Sequence, residues 1–144
     1  RGRSQRLREV AEIAPPADVA AALDVPGGEL VIVRRRVILL DGQPVELTDS
    51  YYPRSIAAGT ALVEPRKIRG GAVTLLAELG HPTTPAYEDV YARTPTDEER
   101  ELLALANDEP VLVQFRLVRS DRPVEVTVMT TAANSRRLRY QLSV

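Results

Sequence analysis

Two nearly identical pentapeptides, PVELT at 44–48 and PVEVT at 123–127, each put a carboxylate at the third position: Glu46 and Glu125. Each follows a run of β-branched and basic residues and a turn, "RRRVILLDGQPVELT" and "VQFRLVRSDRPVEVT". Other groups able to hold a ligand lie nearby. Arg34, Arg35 and Arg36 supply guanidinium donors for an anion. Gly70 and Gly71, just before a helical run, could offer bare backbone N–H groups at a helix start, where anions bind. This is the chemistry of recognition. That of catalysis is thin: His81, beside Pro82, is the only histidine, and there is no cysteine. No serine stands in a Gly-x-Ser-x-Gly elbow, and neither a phosphate loop nor a dinucleotide fingerprint occurs. A metal site could draw only on carboxylates. No catalytic residue, cofactor or metal is expected.

Each feature also has a plainer reading. Alternation along a strand sends Arg35 to one face and Arg34 and Arg36 to the other, so the run is no basic patch. One or two of these arginines could simply form cross-strand ion pairs near Glu46. The glycine pair could do no more than set a turn.

The elements that must hold these residues are legible from pattern. "ELVIVRRRVILL" is β-branched and closes on Asp41-Gly42, a strong hairpin signal, with "PVELTDSYY" as its partner up to Pro53. "PVLVQFRLVRS" and "PVEVTVMTTA" predict a second hairpin. Before them, "EVAEI" reads as a short strand or linker, and Pro15-Pro16 opens a helix over Ala17–Leu23 that Pro26-Gly27-Gly28 stops. Ala72, Leu75, Leu76 and Leu79 recur at helical spacing. "AYEDVYARTP" reads as a strand, and Thr96 with Glu99 as the capping box of a helix in "TDEERELLALAN". "RRLRYQLSV" is a candidate last strand. Hairpins flanking helices make an α+β domain with an antiparallel sheet.

Parity sorts the strand residues. Val111, Val113, Phe115, Leu117, Val124, Val126 and Val128 form one apolar set, which is the core side. Leu112, Gln114, Arg116, Val118, Glu125, Thr127, Met129 and Thr131 form a mixed set, matched in the first hairpin by Glu46, Thr48, Ser50 and Tyr52. Such a face can be left to water. Its apolar members also suit a small-molecule cleft or a subunit interface.

The totals agree with one domain. The 144 residues carry 19 basic against 20 acidic side chains, net −1, and 44% are hydrophobic. A phosphate-gripping nucleic-acid binder would carry a basic excess. Only Arg1, Arg3, Arg6 and Arg8 cluster, at the amino end, and read as a solvated tail or linker. No apolar run approaches the roughly 18–20 residues that span a bilayer, so no membrane partner is expected. No signal-peptide pattern occurs, and a cytoplasmic location is the default.

The succession "VRRRVILLDGQPVELTDSYYP", "IRGGAVTLLAELG", "YEDVYARTPTDEERELLAL" and "PVLVQFRLVRSDRPVEVTVMTTA…LRYQL" resembles the UTRA domain, the effector-binding half of HutC-type regulators in the GntR superfamily. The resemblance covers about Leu30 to Leu142. It divides the chain into a linker and first helix, 1–29, and a ligand-sensing domain, 30–144. It implies a chorismate-lyase-like α+β fold with a six-stranded antiparallel sheet, and a small-molecule effector. It also implies a homodimer, and operator DNA bound through a winged helix-turn-helix outside this chain. The start at Arg1, without an initiator Met, fits a piece of such a protein.

Carried over by position, Arg36 matches the first of two anion-gripping arginines, whereas Ile38 stands at the second. The family's acidic residue falls near Thr48, with Glu46 one face-step away. Gly70-Gly71 replaces a Gly-Ser pair, keeping the N–H groups and losing the hydroxyl. Glu125 retains the late carboxylate, and Asn134-Ser135 stands where many members have Asp-Arg. The implied ligand site is Arg36 for an acidic or polar group, Gly70 and Gly71 for an acceptor, and Glu125 for a hydroxyl or amine. Thr48, Tyr52, Thr127 and Met129 would be its walls. The three departures argue against a sugar phosphate. Two rivals remain: an enzyme like chorismate lyase, and a dimerisation module whose pocket has closed.

Overall fold

In the computed structural model, residues 2–143 are described. One antiparallel sheet runs through the molecule. Its strands are β1 (Arg3–Ile13), β2 (Val31–Leu40), β3 (Gln43–Pro53), β4 (Thr84–Arg93), β5 (Val111–Arg119) and β6 (Pro123–Ala132), in the spatial order β1-β2-β3-β6-β5-β4. Asp41 (φ 50°) and Gly42 (φ 82°) both lie in the left-handed region, as a two-residue hairpin turn demands. The two hairpins join along β3 and β6, so both pentapeptides lie on adjacent central strands. Ser50 opposes Thr127 and Glu46 opposes Thr131. Glu125 therefore sits level with the far end of β3. It shares a face with Glu46 at a separation of about 20 Å, six residues at roughly 3.3 Å each.

The expected apolar face is the core. Helix α1 (Ala17–Leu23) lays Val19 and Leu23 on Val31, Val33, Tyr51, Phe115, Leu117 and Val126. After α4 (Asp97–Leu102), Leu103 packs on Val37, Leu47, Val111 and Val113. The Thr96–Glu99 capping box is formed, each side chain accepting from the other's backbone N–H.

The mixed face is not left to water either. Helix α2 (Arg54–Ala57), a 3₁₀ turn (Ala61–Val63) and α3 (Gly71–Glu78) cover part of it, with Ile56, Ala57, Leu62 and Leu76 buried against Ile32, Tyr52 and Val118. Val124 belongs to this second cluster, against its parity assignment. The bulge between Val118 and Arg119 shifts the register there and turns Val124 over.

Three further expectations need correction. The helix expected within residues 1–29 is present as α1, but what precedes it is not a linker: β1 pairs with β2 along its whole length and forms an edge of the sheet, so the folded unit does not begin at 30. The basic amino end is thereby part of a strand, where Arg8 pairs with Glu98 at 3.4 Å; Arg1 lies outside the described residues. Residues 136–143 form no strand, since they pair with neither edge of the six-stranded sheet; Val144 lies outside the described residues.

Candidate functional site

A cleft of about 270 Å³ lies between the β1-β2-β3 part of the mixed face and the amino end of α3. The sheet supplies its floor: Gln5 and Leu7 from β1, Arg34 and Arg36 from β2, Ser50 and Tyr52 from β3. Lys67, Ile68, Gly71 and Ala72 form the opposite wall.

Arg34 builds that wall. Its buried guanidinium donates to three carbonyls of one loop: Leu62 O at 2.9 Å, Glu64 O at 2.9 Å and Arg66 O at 2.6 Å. Burial lowers its pKa, and no carboxylate stands within ion-pair distance of it among the described residues. The loop so held carries Lys67 and Ile68 into the cleft. Arg36 is less fully bonded. Its Nη2 donates to Ser50 Oγ at 2.9 Å, while its buried Nε has no partner. Neither arginine pairs with Glu46, contrary to expectation. The ion pairs on this hairpin join Arg35 to Asp49 (2.7 Å) and to Glu9 (3.0 Å) on the other face.

Tyr52 closes the cleft's inner end. Only 1% of it is exposed, and its hydroxyl donates to Glu125 Oε2 at 2.5 Å. Burial, then the charge of Glu125, pushes the phenol well above its ordinary pKa. Glu125 thus lies behind Tyr52 with its charge already hydrogen-bonded, and is not on the cleft wall. Thr127 is also one layer back, its hydroxyl 3.2 Å from that of Ser50.

Thr48 and Met129, which oppose each other across β3 and β6, lie outside this cleft, beside a second polar network. Thr48 donates to Glu46 Oε2 at 2.5 Å, and Arg136 Nη2 to Glu46 Oε1 at 2.5 Å. Arg136 continues to Gln114 (2.9 Å), and Gln114 and Arg116 reach Glu88 at 3.2 Å and 2.8 Å. Burial would raise Glu88, but these two hydrogen bonds outweigh it and hold the carboxyl below its ordinary pKa.

The glycine pair does less than expected. Gly70 caps α3 at φ 80° and Gly71 follows at φ 85°, both conformations that side chains resist. The Gly71 N–H is spent on Ile68 O at 3.1 Å, which makes it part of the turn. The later first-turn N–H groups of α3 lack intrahelical partners by construction.

The structure therefore brings Arg36, Tyr52 and Gly71 to one cleft, sets Glu125 and Thr127 behind it, and leaves Thr48 and Met129 apart. Sequence reasoning missed Gln5, Leu7, Lys67 and Ile68 as lining residues. "RKIRGG" did carry a signal, since a basic residue just before a glycine-opened helix is well placed for an anion. Nothing in "SQRLRE" signalled a cleft. Arg136 was also missed, although it follows the Asn134-Ser135 position directly. Three cations line the cleft and no carboxylate does, so its field favours an anion.

The UTRA domain family model matches residues 2–137. An uncharacterized HTH-type transcriptional regulator of Streptomyces coelicolor, SCO4628, is 34% identical over 133 residues, covering 90% of this chain. The chain spans about half the length of that curated relative, 48%. The ligand-binding domain of a GntR-family transcriptional regulator from Bordetella bronchiseptica superposes with a TM-score of 0.81 at 26% identity, over 98% of this chain and 92% of that one. The C-terminal domain of the histidine utilization repressor from Pseudomonas syringae shares the fold, with a TM-score of 0.82 at 22% identity over 99% of both chains.

Proposed function

Given that the chain belongs to the UTRA domain family of GntR-type regulators, we propose that its cleft binds a small organic anion as effector. We read the protein as the sensing and dimerising part of a HutC-type bacterial transcription regulator that acts in the cytoplasm. Operator DNA would be bound by a winged helix-turn-helix elsewhere in the longer protein. The observation that carries this reading is the state of Arg36: a guanidinium in the cleft lining whose one hydrogen bond among the described residues goes to Ser50, with no carboxylate in that lining. Ser50 takes one hydrogen bond from the guanidinium, and a carboxylate or phosphate oxygen in the cleft would add a charge-assisted one to its remaining donors. Lys67 adds a second charge, and Leu7, Ile68, Ala72 and the Tyr52 ring offer apolar contact to the rest of the molecule. An effector acts on DNA binding only through different affinities for two dimer arrangements. A coupling of about 1–3 kcal/mol, or roughly 5- to 150-fold, is sufficient.

A thermal-shift panel of aliphatic and aromatic carboxylates, phosphate esters and neutral sugars tests the reading. Stabilisation by anions, with neutral sugars inert, supports it. A panel without any stabilising anion favours the pure dimerisation module. Steady turnover of chorismate would favour the enzyme instead. Against that, the cleft lining holds no histidine or carboxylate to act as general acid or base.

A further inference from the structure

The sheet has two free edges, β1 and β4. It also has a segment without a strand partner, residues 136–143. Arg136 is anchored over the mixed face by Gln114 of β5 and Glu46 of β3. Beyond it Tyr140 is 63% exposed and Leu142 85%. Two-residue alternation in this segment puts Leu138, Tyr140 and Leu142 on one side and Arg137, Arg139 and Gln141 on the other. Apolar side chains alternating with cations make a strand that lacks only an edge.

Charge decides which edge fits. On β1, Arg8, Glu9 and Glu12 are paired with Glu98, Arg35 and Arg54, which leaves the cations Arg3 and Arg6 to face a basic segment. β4 carries Asp89 and Glu88, of which Glu88 is taken up by Arg116 and Gln114, and its one cation, Arg93, is taken up by Glu99 in two hydrogen bonds of 2.7 Å, so Asp89 is the charge it offers. β4 is also unusually open. Tyr87 (46%), Val90 (40%) and Tyr91 (40%) are exposed on an edge strand, the arrangement that invites an added strand. Its two sides match those of the segment. On the α1 face, Tyr87, Asp89 and Tyr91 border a groove floored by Phe115, and Asp89 has no hydrogen bond or ion pair among the described residues. On the mixed face Val90 and Ala92 lie beside Leu112.

We propose that β4 receives residues 137–143 of a second copy of this chain as an added antiparallel strand. Arg137 and Arg139 would meet Asp89 and the tyrosine rings, while Leu138, Tyr140 and Leu142 would cover Val90, Ala92 and Leu112. The seven residues reach about 23 Å at roughly 3.3 Å each, within the length of the ten-residue β4. Backbone hydrogen bonds supply the affinity, and the side-chain match supplies the register. Cations over tyrosine faces add to it. A two-fold axis makes the exchange mutual, so each copy gives one strand and accepts one. The proposal rests on the dimeric reading above and names its surface.

The test is sedimentation equilibrium on the wild type, Asp89→Arg, Arg139→Asp and the double variant. Both positions are exposed, and far-UV circular dichroism checks that all four proteins are folded. Expected is a wild-type dimer, weakened about tenfold or more by either single reversal, where like charges face each other, and recovered in the double variant, where the pair is swapped. A dimer indifferent to the single reversals, or one that the double variant fails to restore, overturns this surface and leaves dimerisation standing. A monomeric wild type overturns dimerisation itself.

Discussion

Tyr52 and Glu125, from the facing central strands β3 and β6, share a buried hydrogen bond of 2.5 Å that forms the rear wall of the cleft. A carboxylate this enclosed is tolerated only because a donor reaches it. The bond makes the late glutamate a support for the cleft floor. Arg36 and Lys67 stand in front of it, on the cleft lining, where the proposed anion would meet them.

Tyr52→Phe leaves that carboxylate without its donor. Unfolding in urea should show a loss of about 1–3 kcal/mol, and Glu125→Gln in the same background should recover part of it. Equal stability of Tyr52→Phe and wild type would mean that the bond does not hold the wall.

The same pair gives the alkaline limb of stability. Burial and the neighbouring charge raise the folded-state pKa of Tyr52, so the folded protein binds this proton more tightly than the unfolded chain does. Its contribution is complete below the ordinary phenol value and is lost as pH climbs beyond about 10. Tyr52→Phe should flatten this decline in a series of urea melts at rising pH.

On the acid side the sign reverses. Burial would raise Glu99, but hydrogen bonds from Arg93 and the Thr96 amide outweigh it and hold the carboxyl low. Its contribution is complete above the ordinary carboxylate range and disappears as pH falls below about 4. Glu99→Gln should be less stable at neutral pH and show a shallower acid limb than wild type.

Arg34 fixes the loop that carries Lys67. Arg34→Met strands the carbonyls of Leu62, Glu64 and Arg66, each a lost charge-assisted bond of about 1.5–3 kcal/mol before relaxation. Hydrogen exchange should quicken between residues 62 and 72 while the β5–β6 amides stay protected. Unchanged exchange in that stretch would show that the loop holds itself.

The hairpins, α1, α3 and the capped α4 were legible because each writes its own local signal: Asp41-Gly42, Pro15-Pro16, Gly70-Gly71, and Thr96 with Glu99. What was hidden is what depends on distant pairing. β1 lacks a strong alternation of its own and is a strand only because β2 binds it, so Gln5 and Leu7 could not be foreseen at the cleft. Parity put Tyr52, Thr127 and Glu125 on the correct face. It could not tell that Tyr52 would stand in front of Glu125, because depth depends on how β3 registers against β6. The arginine run was read correctly as two faces, but its partners were not. Asp49 and three loop carbonyls hold Arg35 and Arg34, while Glu46 goes to Arg136, far along the chain.

The central claim, that Arg36 is kept incompletely bonded for an anion, is tested most directly by thermal shift of wild type and Arg36→Ala side by side against the same carboxylates and phosphates. The account predicts at least one anion that raises the melting temperature of the wild type and leaves that of Arg36→Ala unmoved. An anion that stabilises both proteins equally, or a panel in which nothing stabilises the wild type, would contradict it.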